Sequence, residues 1–172
     1  DFDRNWIIIL QNIVDKQKKD IVNSLKPTWF KSDKFYVIDK KFCTTNTEVL
    51  DWKYQLAVRK IIFSKYLFDI KKVYDFGSGS GINVYLINKI FDNIKLQASD
   101  SSKVSVEILE ELNNYLGIDV EYDMIDMKQP INIDIEKDSA VITTSSLEQV
   151  GEEIDSFIDF VLSKKPKRVI NI

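Results

Sequence analysis

Three of the five glycines in this 172-residue chain, Gly77, Gly79 and Gly81, fall within five positions, directly after the apolar run Val73-Tyr-Asp-Phe76. A glycine turn between a strand and a helix lets backbone approach a ligand closely and turns N–H groups toward polar or anionic atoms. The same spacing also serves a plain tight turn, so its chemistry depends on what lies around it. Three acids supply the context. Asp75 stands two places before the first glycine, Asp100 ends the next apolar run, and Asp126 with Met127 follows the third. A carboxylate at the end of the second strand can accept both vicinal hydroxyls of a ribose, or it can cap the helix that begins after it. A carboxylate after the third strand can accept from an adenine amino group while a methionine lies against the ring, or it can be an ordinary loop acid. Taken in order, the acids suit one ligand: an amino group near Asp75, a ribose at Asp100 and an adenine at Asp126.

Other chemistries are excluded by composition. The chain has no histidine and a single cysteine, Cys43, so it holds no Ser-His-Asp triad, Cys-His pair, multi-cysteine zinc site or intrachain disulfide. No metal site is expected. A dinucleotide fingerprint, G-x-G-x-x-G, would need glycine at 82, where Ile82 stands. That speaks against a nicotinamide-dependent oxidoreductase, which is kept as a lesser alternative. With 44% apolar and 30% charged residues the chain reads as a globular domain, and we expect a cytoplasmic protein without a membrane span. Residues 1–72 carry 15 basic and 9 acidic side chains, whereas residues 73–172 carry 9 and 18. A basic segment docked on an acidic domain accounts for this better than nucleic-acid binding does, and no nucleic-acid partner is expected.

The elements that must position these residues follow from periodicity. Residues 3–25 read as one helix capped by Asp3, and a second starts near Asn46, where Thr45 and Glu48 have capping-box spacing, and runs to about Phe68. Between them Phe35–Ile38 reads as a short strand. Twelve of the twenty aromatic residues precede position 73, so this N-terminal helical segment, 1–70, must pack on something. From 71 to 172, short apolar runs alternate with amphipathic helices, which predicts an α/β, Rossmann-like, doubly wound and mostly parallel sheet of about five strands. The strands are expected at 73–76, 94–99, 118–124, 140–144 and 167–172, with Ser101 or Ser102 capping the helix that follows the second of them and Gly117 ending it.

Residues 71–172 resemble the class I S-adenosylmethionine-dependent methyltransferases. The resemblance rests on Asp75-Phe-Gly-Ser-Gly-Ser-Gly81, on Gln-Ala-Ser-Asp100, on Asp126-Met127, on Ala140-Val-Ile-Thr-Thr-Ser-Ser-Leu-Glu-Gln-Val150 and on Pro166-Lys-Arg-Val-Ile-Asn-Ile172. It implies S-adenosylmethionine as cofactor, with S-adenosylhomocysteine as its product. By it, Asp75, Gly77, Gly79 and Gly81 would hold the methionine portion, Asp100 the ribose, and Asp126 and Met127 the adenine, with Ser78 and Ser101 as further cofactor contacts. Thr143 is a further expected cofactor contact, and with Thr144 and Ser145 would line the acceptor side. Leu147-Glu-Gln-Val150 is similar to a Leu-Glu-His-Val phrase of small-molecule members, with Gln149 where histidine often stands. More loosely, the chain resembles sugar O-methyltransferases, which implies transfer to a small hydroxylated acceptor.

Methyl transfer from a sulfonium is an in-line displacement with a good leaving group, so alignment and desolvation supply most of the catalysis. Glu148, at the end of the fourth strand, is the candidate base, although Ser145 and Glu148 also have capping-box spacing. Trp29, Tyr36 and Trp52 would roof the site or belong to the core. A cofactor-binding module without catalysis is the main alternative. Members of this family add a hairpin after strand five, so the sequence is expected to be a fragment, or else to leave that strand as an edge for a second copy or another segment.

Overall fold

The computed structural model describes residues 2–15, 20–31, 35–129 and 131–172, and the side chains of all of these but Phe2 and Tyr115. Five parallel strands, β3 (Lys72–Phe76), β4 (Lys95–Asp100), β5 (Val120–Met124), β6 (Ser139–Thr143) and β7 (Arg168–Asn171), form one sheet in the order β5-β4-β3-β6-β7. The chain starts in the middle, builds outward to one edge, then returns to build the other. This order leaves a crevice at the C-terminal ends of β3 and β6, where neighbouring crossovers diverge, and ligands of such sheets gather there. No helix among the described residues is long and apolar enough to cross a membrane.

Every residue of β3 is buried, as a central strand covered on both faces requires. Its side chains alternate. Val73 joins the larger core with Ile9, Leu25, Phe63, Ile87 and Leu112, under α1 (Phe2–Asp15), α3 (Leu50–Tyr66), α4 (Ile82–Ile90) and α5 (Lys103–Leu116). Tyr74 and Phe76 face the opposite layer, where Phe157 and Val161 of α7 (Ile154–Lys164) meet them, together with Ile135 from the connection before β6. By the same period of two, Asp75 points to the side of Val73, beneath α4.

The crossover helices end as their sequences require. Ser102, not Ser101, caps α5 by accepting from the Ser105 N–H at 3.4 Å, and Gly117 stops it in the left-handed conformation with φ +63°. Asn113 then clamps the start of β5, donating to the Val120 carbonyl at 2.8 Å and accepting from its N–H at 2.9 Å.

The N-terminal segment departs further from expectation. The helix read over 3–25 appears as α1 and a short α2 (Ile21–Ser24), and residues 16–19 between them lie outside the described residues. Asp3 lies within the first turn of α1 and accepts from the Ser102 hydroxyl at 2.7 Å, so it ties α1 to α5. The strand at Phe35–Ile38, β1, has an antiparallel partner that the sequence reading missed, β2 (Lys41–Thr44), joined through Asp39 and Lys40, both at positive φ. This is the backbone of a two-residue hairpin turn, formed here without the glycine that usually marks it. α3 begins at Leu50 after Val49, not near Asn46. Thr45 accepts from the Thr47 N–H at 2.9 Å, forming a local turn in place of a capping box.

Candidate functional site

A cleft of about 390 Å³ opens at the C-terminal ends of β3, β4 and β6, in the size range of small-molecule sites. Its floor is the glycine turn. The Gly77 and Ser78 N–H groups donate to the Ser99 carbonyl at 2.8 and 3.0 Å, which folds the turn back over β4. All three glycines have positive φ, yet they serve different contacts. A Cβ on Gly77 would lie 2.5 Å from that of Ser146, so this glycine keeps the turn close to the β6 loop. At Gly79 an added Cβ would lie 3.1 Å from the Trp6 ring, which α1 lays across the turn. At Gly81 it would lie 2.6 Å from Leu112 on α5, and Gly81 does not line the cleft. Its expected cofactor contact is therefore corrected to helix packing.

Asp100 is held by backbone on both oxygens. Oδ2 accepts from the Gly79 N–H at 2.8 Å and Oδ1 from the Ser102 N–H at 2.9 Å. Each oxygen keeps a further lone pair, so the carboxylate is fixed in direction and still able to accept from a ligand in the cleft that it lines. The two readings of Asp100 thus coexist, because the bond that organises the start of α5 also aims the carboxylate. Ser101, Asp126 and Met127 line the same end. Asp126 Oδ1 accepts from the Lys128 N–H at 2.9 Å, which fixes the loop, and Met127 approaches Gly77.

The inner end of the cleft lies under α3 and α4. Asp75 is fully buried beneath it and does not line it; Asn83 stands between, donating from Nδ2 to Asp75 Oδ1 at 3.1 Å and to the Thr144 hydroxyl at 3.0 Å. Asp75 thus lies behind Asn83 and outside the cleft lining, a correction to its expected direct role. Burial pushes the Asp75 carboxyl up to about 7, against the bond from Asn83 and the charge of Arg59. Arg59, on α3, lines the cleft, 7% exposed, and burial lowers its pKa while Asp75 opposes that. Arginine nonetheless stays charged.

Unpaired atoms concentrate here. Among the described residues, the buried side-chain polar atoms without a partner include Trp52 Nε1, Arg59 Nε and Nη1, Ser78 Oγ and Asn83 Oδ1, all on cleft-lining residues, and Asp75 Oδ2 just below. Each such group costs about 1–3 kcal/mol if nothing satisfies it. Donors and acceptors of this number around one cavity fit a polar ligand.

Other expected residues lie elsewhere. Thr143 is buried in β6 and donates to Asn171 at 2.9 Å, away from the cleft, while Thr144 and Ser145 line it. Ser145 turns sharply at φ +50°, and Ser146 donates to the Phe76 carbonyl at 3.1 Å and makes no side-chain cap. Glu148 is consequently neither a cap partner nor a cleft residue. It is exposed on the short helix α6 (Leu147–Val150), whereas Gln149 lines the cleft. Trp29 and Trp52 line the cleft as well, but Tyr36 does not. Sequence reasoning missed Trp6, Arg59 and Asn83. Arg59 had a readable signal: Trp52, Leu56, Arg59 and Phe63 share one helical face, so a cation interrupts an apolar stripe.

No protein-family model matches the sequence, and no curated protein does. Solved structures do. The chain is similar to the [4+2]-cyclase SpnF, with TM-score 0.56, 19% identity, and 67% of this chain covered against 42% of that one. It is similar to the Pyrococcus abyssi tRNA (uracil-54, C5)-methyltransferase in complex with S-adenosyl-L-homocysteine, at 0.56 and 15%, covering 81% and 34%. A SAM-dependent methyltransferase from Aquifex aeolicus matches at 0.50 and 18%, covering 63% and 57%. At these identities the likeness establishes the fold, the Rossmann-like α/β fold of methyltransferases. The chain spans between about a third and three-fifths of the length of these proteins.

Proposed function

We propose that this chain is the cofactor-binding part of an S-adenosylmethionine-dependent methyltransferase acting on a small hydroxylated molecule. The observation that carries the reading is Asp100, anchored through Gly79 and Ser102 at the end of the second sheet strand and open to the cleft. In that place it suits the vicinal hydroxyls of a ribose. Asp126 and Met127 on the same side would take an adenine, Gly77 and Ser78 the chain beyond the ribose, and Asn83 with Asp75 below it the amino end. A neighbour of the same fold carries S-adenosyl-L-homocysteine, which supports this choice of ligand.

The cofactor supplies an electrophilic methyl on a sulfonium. The protein's residues supply position and dryness. Trp6, Trp29 and Trp52 cover the cleft with apolar surface, and Thr144, Ser145 and Gln149 offer hydrogen-bond partners to an acceptor hydroxyl. None of these three exchanges a proton near neutral pH, so the rate enhancement would come from orientation and exclusion of water. The exposed position of Glu148 favours a second reading, cofactor binding without transfer.

Isothermal titration of the folded chain with S-adenosylhomocysteine and with NADH tests the first step. Saturable binding of the former and none of the latter is expected; the reverse would replace the proposal with an oxidoreductase. A single turnover with methyl-labelled S-adenosylmethionine and a panel of sugars and other polyols then separates the two readings, since a labelled product removes the non-catalytic one.

A further inference from the structure

The β1–β2 hairpin carries surface that the proposed function does not use. Phe35 stands opposite Thr44 and Val37 opposite Phe42, so by the period of two these four share one face of the hairpin. Phe35, Val37 and Phe42 are 73%, 63% and 88% exposed, whereas Tyr36 and Cys43, paired on the other face, are half-buried. None of the three exposed side chains joins either hydrophobic core, and the two strands pack chiefly on each other. An isolated two-stranded hairpin is marginal in water, and a contiguous apolar face turned to solvent marks an interaction surface.

The charge around this face selects the partner. Between positions 26 and 44 the described charged residues are Lys26, Lys31, Lys40 and Lys41 against Asp39 alone. The outer face of α3 has the same make-up: Tyr54 and Ile61, two turns apart on one side, are exposed, and the exposed Lys53, Lys60 and Lys65 flank them. Of the sixteen exposed large hydrophobic side chains among the described residues, twelve lie before position 70, in the part of the chain that holds the basic excess. Protein interfaces are depleted in lysine, and a stacking surface for RNA presents aromatic rings with arginine rather than valine and isoleucine. Lysines beside phenylalanine and aliphatic side chains match an anionic bilayer, where the charges meet headgroups while the apolar groups enter the interface.

We infer that the β1–β2 hairpin docks the protein on an anionic lipid surface, through Phe35, Val37 and Phe42 with Lys40 and Lys41 beside its turn. The hairpin is rooted in the wall of the cleft. Phe30 precedes it and Trp52 follows it; their rings meet at 5.1 Å, and both line the cleft, as Trp29 does. Docking would bring this aromatic wall toward the headgroups, where a membrane-borne acceptor is concentrated. The hairpin's exposure and charge do not depend on what the cleft binds, so failure of this inference and failure of the proposed function are separate results.

Co-sedimentation of the full chain with vesicles tests this without any cofactor, using phosphatidylcholine alone and phosphatidylcholine with about a third phosphatidylserine. Wild type is expected to partition about tenfold or more in favour of the anionic vesicles at low salt, with the preference lost at high salt. Val37→Ser/Phe42→Ser should weaken binding by about tenfold or more, and Lys40→Gln/Lys41→Gln by about ten- to thirtyfold with a flatter salt dependence. Leu162→Ser, which removes an exposed apolar side chain of α7 near Asp155 and Asp159, should bind as wild type does. Since the hairpin's outer face lies outside both cores, the unfolding midpoints should match wild type; should the apolar variant not fold, the lysine variant and the Leu162 control decide. The inference is overturned if wild type binds neither vesicle or does not distinguish them, if both hairpin variants bind as wild type does, or if Leu162→Ser loses as much as they do. It is equally overturned if, in place of vesicle binding, Val37→Ser/Phe42→Ser abolishes self-association in sedimentation velocity, which assigns the face to a second copy, or abolishes binding of poly-uridylate, which assigns it to RNA.

Discussion

Asp100 Oδ2 accepts a hydrogen bond from the Gly79 N–H at 2.8 Å, joining the end of the second sheet strand to the middle of the glycine turn. One carboxylate therefore both shapes the turn and lines the cleft. Asp100→Ala should weaken S-adenosylhomocysteine by about ten- to a hundredfold, the scale of losing a charge-assisted hydrogen bond, and should also lower stability because the Gly79 and Ser102 N–H groups lose their acceptor. Calorimetry paired with urea denaturation reads both effects. A loss of affinity with no loss of stability would mean that the bond to Gly79 contributes nothing to the turn.

Gly81 and Gly117 make a controlled pair. Both have positive φ, but a Cβ on Gly117 meets nothing within 4 Å, whereas one on Gly81 meets Leu112 at 2.6 Å. Gly117→Ala should cost about 1–2 kcal/mol from the backbone alone. Gly81→Ala should cost about 1–3 kcal/mol more, because the buried Leu112 must move. Equal midpoint shifts in a denaturation series would show that α5 gives way easily at this contact.

The buried Asp75 predicts a pH dependence of stability. Its carboxyl is held at about 7 in the fold, mainly by burial, against an ordinary value of 3.8. Between these values the native state keeps a proton that the unfolded chain has released. The stability it contributes is therefore full below about pH 4 and declines as pH rises to about 7. Asp75→Asn, which can still accept from Asn83, should lack this part of the decline. Urea denaturation from pH 4 to pH 8 checks it, and a constant separation between the two curves across that range would contradict it.

All three tryptophans of the chain, Trp6, Trp29 and Trp52, line the cleft, and the rings of Trp6 and Trp29 meet edge to face at 5.5 Å. Ligand binding should therefore change the intrinsic fluorescence, with Trp52→Phe reducing the change. A saturating ligand, verified by calorimetry, that leaves the spectrum as it was would place binding elsewhere.

Much of this arrangement was legible in the sequence because its physics is local. The strands of the sheet announce themselves as short apolar runs, and Gly117 ends α5 because only a left-handed residue stops a helix that way. The Asp100 and Asp126 positions follow from counting strands. What failed depends on direction in space. Glu148 follows β6 as a base would, but the left-handed Ser145 turns the chain so that Gln149 faces the cleft. Thr45 and Glu48 have the spacing of a capping box, yet Thr45 closes a turn on Thr47 and the helix waits until Leu50. Arg59 is distant in sequence from every motif, and only the packing of α3 on α4 brings it to the cleft.

The proposed function requires the cleft over the glycine turn to seat S-adenosylmethionine with its ribose on Asp100. A crystal structure of the protein grown with S-adenosylhomocysteine tests this most directly. Ligand density is expected in the cleft, with both ribose hydroxyls within hydrogen-bond distance of Asp100 and the adenine beside Asp126 and Met127. Density elsewhere on the molecule, or a ligand in the cleft whose ribose turns away from Asp100, would contradict it.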